Sequence, residues 1–104
     1  MTYSNKNKVE KIMYSIKYKP SFKKSVKNIK DNKSRNNVKS KIEEIATTLE
    51  LNPKHYKNLR APLQEYKRVH VNKNYVILFK VNVGNKEVTF HSYEHHDNVY
   101  YKRS

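Results

Sequence analysis

The chain reads as an α+β domain in which a hairpin of two helices packs on a four-stranded antiparallel sheet, in the order β-α-α-β-β-β. Three observations predict this. Apolar residues between positions 20 and 52 recur at helical spacing. Those between 66 and 93 lie in runs rich in β-branched and aromatic residues, and short polar gaps suited to hairpin turns divide those runs.

Residues 1–12 are polar and lysine-rich with no apolar period, so they read as a flexible basic tail before a single domain spanning 13–104. Tyr14 to Tyr18 alternates apolar and polar side chains, the pattern of a short strand with one buried face, and Pro20 ends it. Proline suits the first turn of a helix, and Phe22, Val26 and Ile29 then form one apolar stripe. Asp31 or Ser34 can cap a second helix carrying Val38, Ile42, Ile45 and Leu49, which Asn52-Pro53 stops. Residues 53–65 lack a period, with Leu59 and Leu63 as anchors of an ordered loop. Tyr66–Val71, Tyr75–Val81 and Glu87–Tyr93 follow as a meander, joined through residues 72–74 and through 82–86, where Gly84 suits a turn.

Composition excludes several classes. The chain has 104 residues, enough for one domain burying roughly two-thirds of its unfolded surface. With no cysteine it has neither a disulfide framework nor a thiolate metal site. No run of apolar residues suits a membrane span, and the N-terminus lacks the pattern of a secretory signal, so a cytoplasmic protein without a membrane partner is expected. Glycine-rich phosphate loops and nucleophile elbows are absent, which leaves nucleotide hydrolysis and serine-type acyl transfer without support, and no small-molecule cofactor is expected.

Charge points to a polyanion. Twenty-three Lys and Arg against nine Asp and Glu give +14, of which +10 falls in residues 1–40. Solubility alone rarely needs so one-sided a surplus. Lys23, Lys24, Lys27 and Lys30, with Lys33 and Lys39 further on, are expected to meet RNA phosphates as point charges.

Alternation along the first meander strand puts Tyr66, Arg68 and His70 on one face and Val69 and Val71 on the other, with Lys67 a phosphate candidate off the histidine's face. On the last strand His91 and Tyr93 are expected to share a face opposite Phe90. An open sheet face lined by Arg, His and Tyr would suit single-stranded RNA, whose bases stack on aromatics and whose phosphates pair with basic groups. Just past that strand, His95 and His96 stand beside Asp97, and imidazoles titrate near neutral pH, as acid-base work on a ribose hydroxyl requires. A metal site is the rival reading of these histidines. It is the weaker, because adjacent strand residues point apart and no third ligand has a recognisable spacing.

The stretch from Tyr66 to Val81 resembles the central motif of the YafQ-like members of the RelE/ParE toxin superfamily. In that motif a Tyr-Arg strand start leads to His-Val, a short turn, an aromatic and an apolar strand. His96-Asp-Asn-Val-Tyr100 is similar to the superfamily ending, and the likeness covers residues 14–101. The resemblance implies a RelE-like (microbial-RNase-like) fold and a metal-independent endoribonuclease that cuts mRNA on the ribosome. It also implies a cognate antitoxin, expected to be acidic, that holds the enzyme inactive. Carried over by position, His70 and His96 match catalytic histidines, Tyr75 the aromatic after the turn, and Tyr100 the terminal aromatic. Arg68 is expected to steady the phosphate, with His91 and His95 as further RNA contacts. The sequence departs from the pattern at Arg68, where the lineage has an acidic residue, at Asn74, which replaces an aspartate, and at Ala61, near an additional histidine. Two other readings stay open: a ParE-like toxin of the same fold that inhibits DNA gyrase, and a non-catalytic RNA-binding module.

Overall fold

A computed structural model of the chain describes residues 14–98, so the expected tail at 1–12 and Tyr100 lie outside the described residues. The elements are β1 (Ser15–Tyr18), α1 (Pro20–Lys27), α2 (Asn32–Leu51), β2 (Lys67–Val71), β3 (Tyr75–Asn82) and β4 (Glu87–His95). Pro20 opens α1 because its fixed φ is already helical and its missing N–H would have had no intrahelical partner. Asp31 caps α2 by accepting the Ser34 amide hydrogen at 2.9 Å.

The sheet runs in the order β1-β4-β3-β2. It is mixed rather than wholly antiparallel: β2, β3 and β4 alternate in direction, whereas β1 lies parallel to β4, with Ser15 opposite Glu87. The short turns at 72–74 and 83–86 can only return the chain antiparallel. β1 has no such turn, and its alternation fixes which face is buried without fixing its neighbour or direction. Among the described residues the left-handed backbone positions are Asn72, Lys73 and Lys86, while Gly84 keeps an ordinary φ.

One core lies between the helices and the sheet, where Phe22, Val38, Ile45 and Leu49 meet Ile77, Phe79, Val88 and Phe90. Rings run through it in contact, from Tyr18 to Phe22 at 5.7 Å, Phe22 to Phe90 at 5.6 Å and Phe90 to Phe79 at 5.8 Å. Each fully buried aliphatic or aromatic side chain contributes roughly 2–3 kcal/mol by leaving water.

Two features shape the rest of the sheet. Leu78 pairs with Ser92 but Phe79 pairs with Phe90, so His91 is an extra residue bulging from β4. The second is residues 52–66, which wrap the free edge of β2. Tyr56 packs edge-on against Phe79 on the helix side at 5.4 Å, while Leu59 and Leu63 cover Val76 and Leu78 on the other. Asn58 bridges to Lys67, and the Leu59 amide donates to the Tyr66 carbonyl at 2.9 Å, so the edge is closed by the chain's own loop.

Candidate active site

The register aligns His70 with Val76 and Val76 with Glu94, and it aligns Arg68 with Leu78 and Leu78 with Ser92. These residues share the face turned away from the helices, as alternation along β2 predicts. That face is not an open platform. Val76 and Leu78 are buried beneath Leu59 and Leu63, leaving His70 exposed and Arg68 half-buried at the margin of a second small core.

His70 is the penultimate residue of β2 and His96 directly follows β4, so both stand at the end of the sheet that carries the 72–74 turn. The His96 amide donates to the Asn74 carbonyl at 2.9 Å, fixing the start of a helical turn at residues 96–98. Two strand spacings separate the lines of β2 and β4, about 10 Å.

The expectation that adjacent histidines point apart holds only along a strand. β4 ends at His95, and the change to helical backbone brings the two rings into a stack, with centroids 4.8 Å apart and planes at 22°. Asp97 completes the group, one carboxylate oxygen 3.1 Å from His96 Nδ1 and the other 3.7 Å from His95 Nδ1. These three residues could hold a metal ion, their candidate ligand atoms lying within 4.8 Å of one another.

Tyr75 and His95 are paired across β3 and β4, one position out of phase with His70, and so belong to the helix side. Tyr75 stacks on Tyr93 at 4.8 Å and 9°, and the two rings line a cleft of about 480 Å³ with Asn72, Ser34 and Lys30. Burial raises the Tyr93 hydroxyl's pKa, against a smaller opposing effect of its hydrogen bond from Asn72 Nδ2 at 3.0 Å.

The bulge overturns the expected pairing of His91 with Tyr93. Tyr93 returns to the core face with Phe90, and His91 meets the Tyr66 ring at 4.9 Å, with Lys80 Nζ 5.1 Å above that ring. Lys67 is engaged by the loop, its ammonium donating to the Tyr56 carbonyl at 2.9 Å and to Asn58 Oδ1 at 2.8 Å. Burial lowers its pKa. Lys23, Lys24, Lys27 and Lys30 are exposed on α1 and the segment after it. Sequence reasoning passed over Asn72 and the carboxylate shared by the two histidines. The first carried no periodic signal, while the second was visible as Asp97 beside the pair without the helical turn that directs it.

A family model described as the ParE toxin of type II toxin–antitoxin systems (parDE) matches residues 16–100. The chain belongs to the RelE/ParE toxin superfamily. A chain of Methanocaldococcus jannaschii that carries the toxin name RelE4 is 43% identical to this toxin over 93 residues, covering 88% of this chain and 95% of its own. The crystal structure of the RelB–RelE antitoxin–toxin complex from Methanococcus jannaschii gives a TM-score of 0.61 at 26% identity, over 85% of this toxin and 99% of that chain. YafQ from E. coli gives 0.57 at 19% identity, over 84% of this toxin and 98% of that chain, a likeness of fold alone. Among the described residues of this toxin, no helix is long and apolar enough to cross a membrane.

Proposed function

We propose that this toxin is a ribosome-dependent mRNA endoribonuclease that works in the cytoplasm and is held inactive by a cognate acidic antitoxin. The observation that carries the reading is the placement of His70 and His96 at one end of the sheet, with the Asp97 carboxylate 3.1 Å from His96 Nδ1. A carboxylate at Nδ1 holds the hydrogen there and makes Nε2 the nitrogen that accepts a proton. His96 then takes the proton of a ribose 2′-hydroxyl as its oxygen attacks the adjacent phosphorus. His70 delivers a proton to the departing 5′-oxygen, and Arg68 offsets charge on the phosphorane. The products are a 2′,3′-cyclic phosphate and a free 5′-hydroxyl. Tyr75, stacked on Tyr93 with an exposed face, offers a surface for a base, and the lysines of α1 hold ribosomal RNA by charge. The antitoxin rests on the family and on the solved RelB–RelE complex, and a +14 chain favours an acidic one.

The test is cleavage of ribosome-bound mRNA by wild type, His70→Ala and His96→Ala. Each variant should fold, bind antitoxin and lose about 10²–10⁴-fold in rate. Wild-type rates in both would overturn the assignment. The matching family model carries the ParE name, which favours a second reading, inhibition of DNA gyrase. A wild-type chain that leaves mRNA intact and blocks supercoiling would establish that one.

A further inference from the structure

We infer that His95, His96 and Asp97 form a binding site for a divalent transition ion of the zinc type, and that the ion, once bound, switches the toxin off. The inhibitory part rests on the reading of His96 as a catalytic group; the site itself does not. Zinc holds imidazole nitrogen at about 2.0–2.1 Å and carboxylate oxygen at about 2.0–2.2 Å, and in a tetrahedron this sets neighbouring ligand atoms roughly 3.3–3.4 Å apart. Here the carboxylate lies 3.1 Å from one Nδ1 and 3.7 Å from the other, with all three candidate atoms inside 4.8 Å. The two distances run from different oxygens, Oδ1 to His96 and Oδ2 to His95, and each lies within about 0.4 Å of that edge. A small rotation about the side-chain torsions of two half-buried histidines and one exposed aspartate closes the remainder.

The local fold supplies the direction. His96 donates its amide hydrogen to the Asn74 carbonyl, which anchors the middle of the triplet, and the Asp97 amide donates to His95 Nδ1 at 3.3 Å, a contact that an ion at that nitrogen would replace. Tyr75 meets the His95 ring edge-on at 5.5 Å and limits its rotation. Imidazole with a carboxylate suits zinc, nickel and copper, whereas magnesium prefers an all-oxygen octahedron, so the site discriminates against the commonest cellular divalent ion. Three protein ligands leave the fourth position to water. The nitrogen drawn onto the metal is the Nδ1 that otherwise faces Asp97. The bound ion thus takes the carboxylate from its orienting role and places a positive charge beside Nε2, so His96 can no longer collect a proton.

The experiment uses the tag-free chain cleared of metal by chelation and gel filtration. Zn²⁺ is titrated calorimetrically, and Co²⁺ is titrated optically as its coloured substitute. One ion per chain is expected, with tetrahedral Co²⁺ absorption. His95→Ala and Asp97→Asn should each weaken binding about 10-fold or more. His55→Ala and His70→Ala should bind as wild type does. Circular dichroism of each variant checks the fold, and His95→Gln replaces the alanine if that unfolds. A wild-type chain that shows no saturable binding, or binding that survives both His95→Ala and Asp97→Asn, overturns the site. Zn²⁺ at saturation should then lower cleavage of ribosome-bound mRNA at least 10-fold, with chelator restoring it. Stoichiometric binding with undiminished cleavage overturns the switch alone, and binding by a chain that never cleaves mRNA counts against the ribonuclease reading while leaving the site in place.

Discussion

Asn72 joins three parts of the molecule through one side chain. Its amide donates to the Ser34 carbonyl and to the Tyr93 hydroxyl, both at 3.0 Å, and accepts from Asn37 Nδ2 at 2.8 Å, while its backbone sits at φ 54°. Asparagine tolerates that left-handed conformation better than alanine does. Asn72→Ala should therefore cost about 3–4 kcal/mol in urea unfolding, from three partly exposed hydrogen bonds worth up to about 1 kcal/mol each plus about 1 kcal/mol of backbone strain. Asn72→Gly, which removes the strain, should recover about 1 kcal/mol of that; equal losses in the two variants would show that the backbone plays no part. Asp31 makes the pH dependence testable. The Ser34 amide, and next its hydroxyl, hold the Asp31 carboxyl below its ordinary value of 3.8. A depressed folded-state pKa means the contribution is complete above the unfolded value and fades as pH falls through the folded one. Asp31→Asn keeps a cap but loses the titration, so its melting temperature should fall less steeply than wild type's below about pH 4. Parallel acid limbs for the two proteins would refute this.

The elements differ in how far they could be read from the sequence. Both helices announced themselves through apolar stripes and end signals, Pro20 at the first position of one and Asn52-Pro53 after the other. The bulge left a trace that strict alternation passes over. Val88 and Phe90 are spaced by two but Tyr93 follows by three, and one extra residue is the least disturbance that returns all three to the core. The parallel placement of β1 left none, since an alternating pattern carries no direction. Residues 53–65 have no period because they follow neither a helix nor a ladder but fold around an edge, with Tyr56 on one face and Leu59 on the other. Convergence at the histidines was hidden for a related reason, since it depends on where β4 stops. Lys67 is the fastening of the wrapped segment. Replacing it with methionine should cost about 1–2 kcal/mol, below the full value of two charged hydrogen bonds because the group keeps some water. Trypsin or chymotrypsin should cut within 54–66 faster in that variant than in wild type; equal rates would show that Leu59 and Leu63 hold the segment unaided.

For the molecule as a whole, charge and topology set separate limits. Lys23, Lys24, Lys27 and Lys30 are exposed along one stretch of an already basic surface. Changing all four to glutamate should weaken ribosome binding and flatten its dependence on salt. Each phosphate that a lysine neutralises adds roughly 0.7–0.9 to the steepness of the log-log slope, so the variant should be shallower by up to about three units. An unchanged slope would place the RNA-binding surface elsewhere, and the thermal midpoint should stay near wild type because none of these side chains is in the core. Topology bears on the order of assembly. The hairpins β2–β3 and β3–β4 close over a few residues, whereas β1 must find β4 across roughly 70 residues, from Ser15 to Glu87. Loop closure over that length costs about 4 kcal/mol before any contact repays it, against about 1 kcal/mol for a three-residue turn. β1 should therefore dock late in folding and be the first strand to exchange its amide hydrogens, while the end that carries His70, His95 and His96 should belong to the part of the sheet that forms early.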